Sequence, residues 1–207
     1  MSALFISDET AAMSRQDVRR LLFTSGWQFL DGGSFSSVWK APDGSRVIKV
    51  TKPDRGSDAT TAASRANPDN PWLPNIFATS RLACGGSMTE VELLEPCEYD
   101  RNFKDVDKVV QSFENDATVT APHKPLLEAL VALDKEADRL DLTDNRWDCG
   151  VRNVMIRQSA SGVKQIVLTD LLYDKETLIF GAGWDKGTAH DAASVAKPVE
   201  AVLADAS

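Results

Sequence analysis

The chain has 207 residues, a formal charge of −8 and a pI of about 4.8, a length that suits one domain or two small lobes. The acidic balance argues against a nucleic-acid binder, because phosphate contact needs a basic face. It fits a nucleotide-binding enzyme that gathers its cations in one cleft, a protein that docks on a basic partner, or a surface acidic for solubility alone.

Residues 1–13 are small and polar and are expected to be loose. Ser14 can cap a helix running to about Thr24, with Val18, Leu21 and Leu22 on one face and Gly26 ending it. Strand-like stretches at 27–30 and 37–40 flank the turn Asp31-Gly32-Gly33. Pro42-Asp43-Gly44 signals another tight turn before a third strand through Val47-Ile48-Lys49-Val50. Ser57 is expected to cap a short helix rich in Ala and Thr, reaching about Ala66. Residues 67–74 form a loop, and a hairpin at 76–83 and 88–94 turns at Gly85-Gly86. Glu95-Pro96 closes it and marks a boundary between a strand-rich first half and a helical second half.

Helices are predicted over 103–113 and 124–142, the second with Leu126, Leu127, Leu130, Leu133, Ala137 and Leu140 at helical spacing. A loop at 143–152 leads into a strand at 154–157, a turn at Gly162 and a returning strand at 166–168. Cys84, Cys97 and Cys149 are too scattered for a disulfide framework or a metal cluster, and His123 lies far from His190. A reduced, cytoplasmic compartment is the simpler expectation. No apolar run approaches the ~18–20 residues of a membrane span, and no basic-then-apolar leader opens the chain, so neither a membrane nor a secretory route is expected.

Four features carry chemistry, each with a plainer alternative. The turn at Asp31-Gly32-Gly33 would let backbone N–H groups approach phosphate oxygens, or is an ordinary hairpin turn. Lys49, inside an apolar strand, is costly to bury without an anion, unless it lies on the solvent side of an edge strand. Asp148 and Asn153 occupy a loop before an apolar strand. Phosphoryl transfer needs such a carboxylate, to orient the attacking hydroxyl and take its proton, beside an amide oxygen for a metal. Asx turns in a polar loop would place the same residues. Asp170 ends the next strand, where it would reach the same metal or simply terminate the strand.

Glycine turn, strand lysine, Glu95-Pro96, helices, Asp-x4-Asn, hairpin and Asp follow the order of parts of a protein kinase. Residues 26–50 and 148–170 resemble the eukaryotic-type protein-kinase fold. More narrowly, the chain resembles the early serine/threonine protein kinases of T-odd podophages. That resemblance rests on the glycine turn at 30–38, Arg46-Val47-Ile48-Lys49-Val50, the small-residue helix at 57–66 and Leu73-Pro74-Asn75-Ile76-Phe77.

The resemblance implies an α+β, minimal two-lobe kinase-like fold: a flexible stretch at 1–13, an antiparallel-sheet N-lobe at 14–96 and a truncated helical C-lobe at 97–207. It implies ATP and Mg2+, with Asp148 as catalytic base, Lys49 on the phosphates and Arg152 supplying a further cation. Gly32, Gly33, Ser34 and Val38 would cover the nucleotide, and the segment 93–97, with Glu95 and Cys97, would offer backbone groups to adenine. Asn153 and Asp170 would hold magnesium. Implied substrates are host proteins, transcription or RNA-processing machinery among them, in the host cytoplasm. Asp31 and Ser36 stand in flanking glycine places, Arg146-Trp147 replaces His-Arg, Gly150 replaces a lysine, and Leu171-Leu172 replaces Phe-Gly. The helix after Lys49 offers no glutamate, leaving Asp54 or Asp58 to pair it. These departures keep open a pseudokinase-like binding protein that inhibits a host enzyme through an acidic surface. A small-molecule phosphotransferase would need a larger helical lobe to enclose its substrate.

Overall fold

The structure, a computed structural model, describes residues 5–33, 35–97, 101–114, 124–142, 147, 148, 150–159 and 161–172. Its first half is a mixed α+β arrangement around one antiparallel sheet. The strands are β1 (Gln28–Gly32), β2 (Ser36–Lys40), β3 (Arg46–Thr51), β4 (Ile76–Arg81) and β5 (Ser87–Glu92), in the order β1-β2-β3-β5-β4. Alternation along β3 sends Ile48 and Val50 to one face and Val47, Lys49 and Thr51 to the other. On the first face, α2 (Arg15–Thr24) lays Val18 and Leu22 against Trp27, Trp39, Ile48, Val50 and Met88, which form one apolar core. Ser14 caps α2 by accepting from the Asp17 amide, and Gly26 leaves it at φ 80°, a conformation that suits glycine.

The amino-terminal stretch departs from expectation. Asp8–Ala11 is a one-turn helix, α1, capped by Ser7. Ahead of it, the Phe5 and Ile6 amides donate to Glu90 Oε1 on β5, and the Phe5 ring packs edge-on against Trp27. Glu90 is fully buried and pairs with Arg46 at 3.1 Å. A buried carboxylate is tolerable only when its oxygens are met, and part of what meets Glu90 comes from this stretch.

Helix α3 (Arg55–Ala66) begins earlier than predicted. Its N-cap is Asp54, whose carboxylate accepts from Gly56 N at 3.0 Å and Ser57 N at 3.3 Å. Ser57 lies inside the helix and is buried. Both types make good caps, and Asp54 wins because it stands just past β3, where the chain must turn. Thr60 and Ser64 are buried on α3 but return their hydroxyls to the Gly56 and Thr60 carbonyls, at 3.1 and 2.7 Å. Small side chains then let α3 lie close on α5 (Lys124–Arg139), with Ala59 and Ala63 against Leu126, Leu130 and Leu133. Helix α4 (Arg101–Glu114) adds Phe103, Val106 and Val110 to this second core.

A second sheet of three strands, β6 (Glu95–Pro96), β7 (Val154–Gln158) and β8 (Lys164–Leu168), carries Val154, Ile166 and Leu168 into the same core. The pairing of β6 with β7 sets the segment after β5 directly against the strand that follows Asn153. Among the described residues no helix is long and apolar enough to cross a membrane.

Candidate functional site

Lys49 points from β3 toward the second half of the chain. Cross-strand register sets Val38 on one side of it and Thr89 on the other. Its Nζ donates to Asp170 Oδ2 at 3.0 Å. Asp170 follows β8, and its backbone is fixed there because the Thr169 and Asp170 amides both donate to the Asn153 carbonyl, at 3.0 and 3.2 Å. The Thr169 hydroxyl donates to that same carbonyl at 3.0 Å. Asn153, at the end of a 3-10 turn Val151–Asn153, donates its side-chain nitrogen to the Asp148 carbonyl at 2.9 Å. The Asp148 amide donates to the Leu171 carbonyl at 2.7 Å, next to a bridge between Trp147 and Leu172. An unbroken run of contacts therefore joins Lys49, Asp170, Asn153 and Asp148, though Lys49 and Asp170 lie 121 positions apart.

Asp170 uses only one carboxylate oxygen on Lys49. Oδ1 is buried and meets no hydrogen-bond partner, and a buried oxygen left in that condition costs about 1–3 kcal/mol. The Asn153 amide spends its nitrogen on the loop and has its oxygen left to offer. A hard divalent cation takes such oxygen donors. Among the described residues, no three His, Cys, Asp or Glu side chains gather as a metal-ligating group. The Asp170 and Asn153 oxygens are the donors that a cation here would meet. Asp148 and Asn153 face the same space: a Cβ added at Gly150 would stand 3.7 Å from Asp148 Oδ1 and 3.7 Å from Asn153 Nδ2. That is ordinary contact distance, so Gly150 has room for a small side chain.

Asp54 also belongs to this neighbourhood. Burial raises the pKa of its carboxyl above the ordinary value, and the charge of Asp170 raises it further. The Ser57 amide, Lys49 and the Gly56 amide pull the other way. Asp58 is committed elsewhere, with Arg81 at 2.5 Å.

The remaining predicted site residues are less closely tied. The Gly32 amide donates to its neighbour Asp31 Oδ1 at 2.7 Å, and the Gly33 amide donates to the Ser36 carbonyl at 2.9 Å. Both N–H groups expected at phosphate are thus held within the turn. A Cβ on Gly33 would meet nothing within 4 Å. Ser34 lies outside the described residues. Val38 is half-buried beside Lys49. Arg152 and Glu95 are exposed, and Cys97 packs partly into the second core.

Two acid–base partnerships have no signal in sequence pattern: Glu90 with Arg46, and Glu92 with Arg157. Arg157 on β7 grips both carboxylate oxygens of Glu92 on β5, with Nε to Oε2 at 2.8 Å and Nη2 to Oε1. It also donates to the Pro71 and Leu73 carbonyls, at 2.8 and 2.9 Å. Asn75 adds its own amides to Glu92. Compared with models of known protein families and with curated proteins, the sequence matches none.

Proposed function

We propose that the chain is an ATP- and magnesium-dependent serine/threonine protein kinase of minimal two-lobe form, acting on itself or on host proteins in a phage-infected cell. The observation that carries this reading is the run of contacts from Lys49 through Asp170 and Asn153 to Asp148. It joins an ammonium from the first half of the chain to the Asp170 carboxylate of the second, and the Asp170 backbone is tied in turn to Asn153 and through it to Asp148. The resemblance noted in the sequence supplies the choice of kinase over other phosphate chemistry.

In this reading Lys49 binds phosphate oxygens, while Asp170 and Asn153 are the protein ligands of the metal. Bound magnesium would neutralise charge on the phosphates. Asp148, exposed at its loop, orients a serine or threonine hydroxyl and accepts its proton as the new O–P bond forms and the bond to the ADP leaving group breaks. Val38 and the backbone of 93–97 border the space for adenine.

The test is transfer of radiolabelled γ-phosphate from ATP to the protein itself and to host lysate. Asp148→Ala should lower incorporation by about 10²-fold or more. Mg-ATP should raise the Tm of the wild type and leave Asp170→Asn unmoved. Equal incorporation by wild type and Asp148→Ala defeats the assignment of the base.

One observation favours a second reading, a pseudokinase-like protein that binds and inhibits a host enzyme. The Gly32 and Gly33 amides are engaged within their own turn, so the phosphate cradle of an active kinase is not preformed. That reading expects no incorporation, and retention of a host protein that survives both Lys49→Ala and Asp148→Ala.

A further inference from the structure

Helix α5 carries two large apolar residues that the second core does not use, Leu127 and Val131, one turn apart. Val131 is 56% exposed. Among the described residues it is the one large exposed apolar side chain on a helix; Leu30, Phe77, Leu93 and Val163 lie on strands or their connections. Ala63 and Ala66 of α3 stand across from this stripe, and the two helices border an open groove of about 540 Å³. The groove exists because α3 is built of small residues, which leave space that larger side chains would fill. Its rim is charged. Lys124 is held by Glu128 at 3.7 Å and Glu136 by Arg139 at 2.6 Å, which leaves Lys135 as the rim charge.

The size of the groove selects its occupant. Ten residues line it, whereas a stable interface between separate proteins takes about 20–30 residues a side. So small a surface holds a partner well only when a tether supplies a high local concentration. The chain has such a partner. Leu172, the last described residue, is 2% exposed in the same core that α3 and α5 share. Further along the sequence, 198–206 reads Pro-Val-Glu-Ala-Val-Leu-Ala-Asp-Ala. Val199, Val202, Leu203 and Ala206 fall at i, i+3, i+4 and i+7, the spacing of an amphipathic helix, with proline at its first position. Glu200 and Asp205 flank that apolar stripe. The 25 residues from 173 to 197 can span up to about 80 Å, more than the width of a domain this size.

We propose that the segment 198–206 docks within its own chain as a helix in the groove between α3 and α5. Val199, Val202 and Leu203 cover Leu127, Val131 and the α3 alanines, and the acids of the segment lie toward Lys135. The docked segment adds a third helix to the α3–α5 pair. This inference is independent of the nucleotide-site reading, because the groove belongs to α3 and α5 whatever the chain's activity.

A helix of about nine residues is not stable alone in water, so slowed hydrogen exchange in the segment reads docking. In the 207-residue chain, the amides of Val202 to Ala206 should exchange about tenfold or more slowly than in the free peptide 198–206. Val131→Asp changes an exposed position, and Val202→Asp changes the segment itself. Each should return exchange to within about twofold of the peptide, while the amides of Ile48 and Leu130 stay protected as in wild type. Glu200→Lys with Asp205→Lys should also speed exchange, and Lys135→Glu added to that pair should restore part of the protection. None of this should vary with protein concentration.

Wild-type exchange as fast as in the peptide would overturn the docking. Protection that survives Val131→Asp would put the segment elsewhere and overturn it too. Protection that grows with concentration, together with a dimer in sedimentation, would give the groove to a second copy and overturn docking within one chain.

Discussion

At Asp54 a carboxylate caps a helix in a place where burial works against its charge. The folded state raises its pKa above 3.8 through burial and the facing charge of Asp170. A group bound more tightly to its proton when folded lends stability that is complete below its unfolded pKa and is lost as the pH climbs through the folded one. Asp54→Asn caps α3 without titrating. The stability of wild type relative to Asp54→Asn should therefore fall as the pH rises from about 4 toward 7, and urea midpoints across that range measure it. A gap that stays constant, or that turns in favour of wild type as the pH rises, refutes the raised pKa of Asp54.

For the elements, burial sets the stakes. Leu130 on α5 is fully buried, whereas its neighbour Val131 is 56% exposed. Leu130→Ala should cost about 2–5 kcal/mol, the lost apolar transfer plus the cavity left behind. Val131→Ala should stay within about 0.5 kcal/mol, and urea denaturation distinguishes the two. Gly86 offers another test. A Cβ there would fall 2.2 Å from the Thr51 carbonyl oxygen, a backbone atom that cannot step aside. Gly86→Ala should destabilise by about 1–3 kcal/mol through strain at the β3–β5 edge.

The same elements mark what could be read in advance. Periodic apolar residues announced α2 and α5, and turn residues announced β2, β3 and the β4–β5 hairpin. The start of α3 is ambiguous in sequence because Asp54 and Ser57 are equally good caps and only the position of β3 decides between them. The amino-terminal stretch reads as loose in sequence because its anchor, Glu90, lies 84 positions away from Ile6 and carries no periodic signature.

Across the whole molecule, the candidate site was legible in part. Lys49 stands out in sequence as a charge inside an apolar strand, and Asp148, Asn153 and Asp170 as polar groups just before or after one; folding joins them in one run. The state of the glycine-turn amides was not legible, since a local carboxylate and a carbonyl compete for them only in three dimensions. Nor was the junction of Arg157 with Glu92, which lie 65 positions apart and are matched by shape and charge alone. Their side chains are 24% and 13% exposed. Arg157→Ala leaves the Glu92 carboxylate half-stranded and should cost about 3 kcal/mol, the low end for breaking a buried pair. Arg139 pairs with Glu136 from a side chain 60% exposed, and Arg139→Ala should cost about 0–1 kcal/mol. Comparable losses in the two variants would mean that Arg157 is no more than surface decoration.

That junction is a rivet between the two sheets. Arg157 fastens the end of β5, an inner strand of the larger sheet, to the smaller one and to the Pro71 and Leu73 carbonyls. Because β5 lies between β3 and β4, the smaller sheet is tied to the middle of the larger one and not to its rim. Far from the rivet, β1 has a neighbour on one flank only, and Leu30 bulges from its register with β2. Losing Arg157 would therefore unfasten the two sheets and leave each one's own ladder whole.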